Sequence, residues 1–166
     1  MQSVVSAYAI TSMVLTVGLV ALLHVLEPEF APSWRMPSEY ALGRYGVLMR
    51  MAFVVGGTGV MAAGVALAAV AAPASFGLCL VAIGPVGAAF FATDPITTPR
   101  TSFSRTGNLH SAFGSVFILG FPVVATIVGI SAAGTPSIGP VLAVASLAPW
   151  AGLIWFMART IRSSSS

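Results

Sequence analysis

Five long apolar stretches are the feature that most constrains how this chain can fold. A bilayer core about 30 Å thick is crossed by roughly 20 apolar residues, because a helix rises about 1.5 Å per residue. The predicted spans are residues 4–26, 47–72, 75–92, 111–133 and 141–158. We therefore predict an all-α, polytopic transmembrane helical bundle, with a single domain over residues 1–162 and a short polar tail at 163–166.

The composition excludes a soluble fold. Of the 166 residues, 57% are hydrophobic and only 7% are charged, whereas soluble domains carry about 25% charged residues. The excess apolar surface requires a lipid bilayer as its partner. Seven dispersed arginines do not make the clustered basic face of a nucleic-acid-binding domain, so we expect no nucleic acid partner. The first stretch lacks a basic leader and a clear small-residue cleavage pattern, so we expect it to remain as a helix.

Charge is distributed unevenly between the predicted loops. The turns after spans two and four carry no charge. Every charged side chain lies in the other two loops or the C-terminal segment, except Arg50, which lies one turn inside span two next to a charged loop. A chain that threads alternately through the bilayer places these three charged segments on one side. The positive-inside rule assigns that side to the cytoplasm. We therefore expect an N-terminus outside, a cytoplasmic C-terminus, and a multi-pass location in the inner (cytoplasmic) membrane.

The loop between spans one and two is unusually rich in polar and aromatic residues. Pro37-Ser38-Glu39 is typical of a helix start, with the Ser38 hydroxyl as N-cap and Glu39 near the positive end of the helix dipole. Tyr40 and Arg44 are four residues apart and would share one face of that helix.

Titratable side chains collect at the membrane level of this loop. His24 and Glu27 end span one, Asp94 ends span three, and His110 opens span four. A guanidinium fork suits phosphate oxygens, so the arginines could hold an anionic headgroup. The candidate acid/base residues are His24, Glu39, Asp94 and His110, and the candidate ligand-binding residues are Glu27, Tyr40, Arg44, Arg50, Arg100 and Arg105.

Two other interpretations of these residues stay open. Imidazole and carboxylate groups are ligand types for zinc or iron, but no spacing motif selects ligands, so we assign no metal ligand and no cofactor. Interfacial charges more often pair with one another, which would make the group a structural polar network.

Several short segments together resemble a known family. They are His24, the stretch from Ser38-Glu39-Tyr40 to Tyr45-Gly46, the Phe91-Ala92-Thr93-Asp94-Pro95 segment, and Gly107 with His110. The chain resembles the small prokaryotic membrane proteins called domain of unknown function 998 (DUF998). The resemblance implies a multi-span membrane protein and supplies no reaction. It also implies that a sixth span is common in the family, so a homo-oligomer or a partner subunit could cover the face left open here.

The leading hypothesis is a cytoplasm-side polar pocket that binds or modifies a lipid or small amphiphile, and the residues do not decide whether the protein is an enzyme. The alternative is a non-catalytic structural or assembly subunit of a membrane complex, in which the polar groups fix the helix ends. A small transporter is the third possibility. It has less support because the opposite loops and the middle of the spans lack ionisable side chains.

Overall fold

The computed structural model describes residues 1–30 and 35–163, with side chains described as far as Ala158. Within these residues the chain is helical and contains no strand. Three short 3-10 helices, Pro28–Phe30, Pro37–Leu42 and Arg100–Ser102, lie in the connections. The α-helices are α1 (Gln2–Leu26), α2 (Gly46–Leu67), α3 (Ala72–Phe90), α4 (Arg105–Ala132), α5 (Gly139–Ala145) and α6 (Ala148–Ser163).

Five helical segments are long and apolar enough to cross a membrane. They are α1 to α4 and the combined α5–α6 segment, Gly139–Ala158. The all-α architecture and the five span-length segments predicted from the sequence are therefore confirmed. The last residues of the predicted polar tail, 164–166, lie outside the described residues.

Several helix ends differ from the predicted boundaries, and Pro73 and Pro149 account for two of these differences. Pro73 was expected in the turn between spans two and three, but it lies in the first turn of α3, where its missing N–H costs nothing. The turn therefore occupies residues 68–71. Pro149 is the second residue of α6. Because proline has no backbone N–H and disrupts the preceding helical turn, α5 does not continue into α6, and the fifth span bends at Ser146–Leu147.

The helices pack in chain order: α1 on α2, α2 on α3, α3 on α4, and α4 on both α5 and α6. Glycine permits the closest approaches. A Cβ on Gly59 would lie 2.6 Å from the Ser12 Cβ on α1, and one on Gly84 would lie 2.7 Å from the Phe113 carbonyl oxygen on α4. Contacts this close are the usual way to pack helices in lipid, where no hydrophobic drive pulls them together.

Two apolar clusters hold the arrangement. The central one joins α2, α3 and α4 and contains Val60, Leu78, Val81, Ala82 and Val124. The second contains Leu23, Tyr40 and Met49 and lies beneath the loop that connects α1 to α2.

Neighbouring helices run antiparallel, so the ends of α1 and α3 lie beside the starts of α2 and α4. The described parts of the two connections between these helices, residues 27–30 with 35–45 and residues 91–104, meet there. We call this region, with the adjoining first turns of α2 and α4, the polar end. The Ile96 backbone N–H donates to Glu39 Oε1 at 2.8 Å, which joins the two connections directly.

Candidate functional site

Glu39 contacts three groups at the polar end: the backbone of its own connection, the backbone of the second connection, and the Arg35 side chain. Its side chain is 1% exposed. Oε2 accepts a hydrogen bond from the Met36 N–H at 3.0 Å, Oε1 accepts from the Ile96 N–H at 2.8 Å, and Arg35 Nη1 lies 3.6 Å from Oε1. The predicted Ser38 N-cap was wrong. The 3-10 helix starts at Pro37, so its N-cap is Met36, two residues before Ser38, and the Met36 N–H donates to the Glu39 carboxylate.

Glu27 is buried directly after α1. It is 1% exposed, and Oε1 accepts a hydrogen bond from the Tyr45 N–H at 2.7 Å. The carboxylate lies so close to Gly43 that a Cβ there would clash with both of its oxygens. Glu27 Oε2 has no hydrogen-bond partner among the described residues.

Tyr40 lies between two other rings. Its centroid is 5.3 Å from that of His24 and 5.7 Å from that of Phe30. The side chain is 1% exposed, and its hydroxyl has no hydrogen-bond partner in the described part of the chain. Burial raises the pKa of the Tyr40 hydroxyl above its ordinary value, and the negative charges of Glu27 and then Glu29 raise this pKa further. The hydroxyl therefore stays neutral.

Asp94 organises the start of α4. Its Oδ2 accepts hydrogen bonds from the Ser104 N–H at 2.8 Å and from Ser104 Oγ at 3.2 Å. Ser104 in turn caps α4, because its Oγ accepts from the Gly107 N–H at 2.9 Å. This cap starts α4 at Arg105, six residues before the predicted span. Gly107 leaves room for the Asp94 carboxylate, which a Cβ would displace.

His110 fixes the end of α3. It is 6% exposed, and its Nδ1 lies 3.0 Å from both the Ala88 and the Phe91 carbonyl oxygens. Carbonyls only accept, so Nδ1 carries the proton. The ring also meets Phe53 of α2 edge-on, with centroids 5.9 Å apart.

The arginines contrast with the acids. Arg44, Arg50, Arg100 and Arg105 are all exposed, and the Arg35–Glu39 contact is the one ion pair among the described residues. Arg44 and Tyr40 do not share a helix face as predicted, because the 3-10 helix ends at Leu42 and leaves Arg44 outside it.

The four acid/base candidates lie at the polar end but do not converge on one point. Glu39 and Asp94 bind backbone of the same connection, His24 lies beside Tyr40, and His110 lies under the end of α3. No group of three or more His, Cys, Asp or Glu side chains suited to a metal forms among the residues described.

Backbone amides are the partners that sequence reasoning missed. The N–H groups of Tyr45, Ile96 and Ser104 hold the three carboxylates, and every residue except proline carries such a group, so no residue type identifies them. Gly43 and Gly107 were the available signal, since each lies where a carboxylate approaches the backbone.

A groove of about 430 Å³ lies away from the polar end, between α1 and α2. Its walls include Val4, Tyr8, Thr58 and Val65, and a 2.8 Å hydrogen bond joins the Tyr8 hydroxyl to Thr58 Oγ1. At the polar end, by contrast, the carboxylates of Glu27, Glu39 and Asp94 accept hydrogen bonds from main-chain N–H groups.

Five apolar helical segments and one polar end define a multi-pass helical membrane protein. Over residues 10–165 the chain matches the family described as "Protein of unknown function (DUF998)". The chain belongs to this family, which confirms the resemblance of its motifs. No curated protein and no solved structure matches it.

Proposed function

We propose that this protein binds the phosphate-bearing headgroup of a lipid or similar amphiphile at its polar end. The observation that supports the proposal is the separation of charge there. Glu27, Glu39 and Asp94 direct their carboxylates to backbone N–H groups. Four exposed arginines, Arg44, Arg50, Arg100 and Arg105, are left without a carboxylate partner within the described residues.

Unpaired guanidinium groups at a helix end suit a membrane headgroup. A guanidinium donates two parallel hydrogen bonds to phosphate oxygens, which an ammonium cannot do. Each arginine near an anionic bilayer surface contributes about 1 kcal/mol of attraction. The same arginines favour the polar end as the cytoplasmic side of the inner membrane, with the N-terminus outside.

The proposal is one of binding without turnover. Both Glu39 oxygens, Asp94 Oδ2 and His110 Nδ1 are already engaged by protein groups. A general acid or base must reach a substrate proton within hydrogen-bonding distance, and these atoms are committed to holding the backbone.

The test removes two arginines on one connection. An Arg100→Gln, Arg105→Gln double variant should bind phosphatidylglycerol about 25-fold more weakly, at about 1 kcal/mol for each arginine. Native mass spectrometry of the full chain in detergent would measure the binding. The matched Arg→Lys double variant keeps the charge but not the paired hydrogen bonds, so its affinity should fall between those of the Gln variant and the wild type. Equal binding by the wild type and the Gln variant would refute the proposal.

A second candidate function, a non-catalytic structural or assembly subunit, is favoured by the bonds of Glu39 and Asp94 to the backbone. It predicts that Asp94→Asn lowers protein abundance in the membrane, and that the arginine variants bind lipid as the wild type does.

A further inference from the structure

Two buried polar atoms at the polar end remain unsatisfied. Glu27 Oε2 and the Tyr40 hydroxyl have no hydrogen-bond partner among the described residues, although both side chains are 1% exposed. A buried polar atom without a partner is destabilising, and such atoms are rare in native proteins. Tyr40 packs on His24 in the last turn of α1, and Glu27 follows α1 directly. A single ligand that donates hydrogen bonds to both atoms would satisfy them.

The surroundings of the two atoms favour a cation. Glu27 and Glu29 add negative charge near Tyr40: burial raises the pKa of the Tyr40 hydroxyl most, and the charges of Glu27 and then Glu29 raise it further. The rings of His24 and Phe30 flank Tyr40, and aromatic faces attract ammonium groups. An anion would be repelled by both glutamates.

A metal ion fits the cluster less well than an ammonium group. The described residues provide no set of three carboxylate, imidazole or thiolate ligands here. An ammonium group needs only acceptors: it donates to the carboxylate oxygen and to the hydroxyl oxygen, and both of these are available.

The cluster also lies beside one of the exposed arginines. Tyr45 donates its N–H to Glu27 Oε1, and the Arg44 guanidinium carbon lies 5.6 Å from the centroid of the same Tyr45 ring. The negatively charged Glu27 and the positively charged Arg44 therefore both contact Tyr45. His24 is exposed and contacts Tyr40, so the cluster lies one side chain below the surface.

We infer that Glu27 and Tyr40 receive an ammonium group, so that the headgroup bound at the polar end is zwitterionic, with its amine at Glu27 and its phosphate at Arg44. This inference rests on the proposed function and names the headgroup class. The ligand chemistry is that of a primary amine joined to a phosphate by a short linker.

The experiment compares two phospholipids of the same chain length, phosphatidylethanolamine, which carries an amine, and phosphatidylglycerol, which does not. Affinities for the full chain in detergent would be measured by native mass spectrometry. Glu27→Gln should lower phosphatidylethanolamine affinity about tenfold, corresponding to about 1.4 kcal/mol, without lowering phosphatidylglycerol affinity. Glu29→Gln removes the same charge from an exposed position that makes no hydrogen bond to the ammonium group. It is the matched control and should lower phosphatidylethanolamine affinity much less than Glu27→Gln does.

The outcomes are distinguishable. If Glu27→Gln leaves phosphatidylethanolamine binding unchanged, or lowers both affinities equally, the ammonium site is refuted even when the arginine variants lose lipid. If the arginine variants lose none, the proposed function itself fails. If Glu27→Gln does not fold, Tyr40→Phe provides the test. This variant should bind phosphatidylethanolamine about threefold to fivefold more weakly, which is about the value of one hydrogen bond, and should bind phosphatidylglycerol as the wild type does. An unchanged phosphatidylethanolamine affinity would overturn the inference.

Discussion

Replacing Glu39 by glutamine is expected to loosen the link between the two connections of the polar end. The glutamine oxygen can keep one of the two backbone bonds, to the Met36 or the Ile96 N–H, but its amide NH₂ then faces the other N–H. One charge-assisted bond is lost, worth about 1.5–3 kcal/mol. The contact with Arg35, which is 26% exposed, adds at most about 1 kcal/mol.

The total, about 2–4 kcal/mol, corresponds to a fall of roughly 4–16 °C in the apparent melting temperature for a chain of this size. The single cysteine provides the assay. Cys79 is half-buried, with its Sγ 3.8 Å from the Met61 carbonyl oxygen on α2. A thiol-reactive fluorophore in detergent therefore reports when α2 and α3 separate.

The matched control for Glu39→Gln is Glu29→Gln. Glu29 is exposed in the neighbouring 3-10 helix, and its replacement should change stability by no more than about 0.5 kcal/mol. If Glu39→Gln lowers the melting temperature no further than Glu29→Gln does, the Glu39 bonds to the Met36 and Ile96 N–H groups do not stabilise the polar end and the reasoning is wrong.

Three further predictions concern other contacts. Gly107→Ala should cost about 1–3 kcal/mol, because the new Cβ displaces the Asp94 carboxylate, whereas Gly114→Ala, with nothing within 4 Å, should be neutral or stabilising in the same melting assay. The free energy of unfolding should fall as the pH rises past the ordinary tyrosine pKa of 10.0, because the unfolded chain releases the Tyr40 proton while the folded protein keeps it. In melts between about pH 9 and about pH 11, Tyr40→Phe should make the melting temperature depend less on pH. Trp150→Phe removes the 2.9 Å hydrogen bond from Trp150 on α6 to Thr126 on α4, so proteolytic cleavage within α6 should become faster. An unchanged cleavage rate would contradict this prediction.

The sequence was sufficient for the helices because bilayer thickness fixes their length. A stretch of about 20 apolar residues is long enough to cross the bilayer as a helix, and all five predicted stretches form helical segments of sufficient length and apolarity. Helix ends depend on single residues instead. Pro73 and Ser104 set the starts of α3 and α4, and hydropathy carries no information about either.

The sequence predicted the membrane level at which the polar residues lie, but not which groups they contact. Placing Asp94 and His110 at one level followed from the spans, but their partners are backbone groups of Ser104 and of Ala88 and Phe91. The sequence could not show that Glu27, Glu39 and Asp94 bind main-chain N–H groups while four arginines stay exposed, since that depends on the path of the two connections.

Packing in chain order has a consequence for how the protein is assembled during synthesis. Each helix finds its main partner in the one that entered the membrane just before it, so every interface can close while later residues are still being translated. The bond from Ile96 to Glu39 spans 57 residues and cannot form until α3 has crossed the bilayer. The α1–α2 hairpin must therefore wait with a buried carboxylate half satisfied, and the arrival of the following connection completes it.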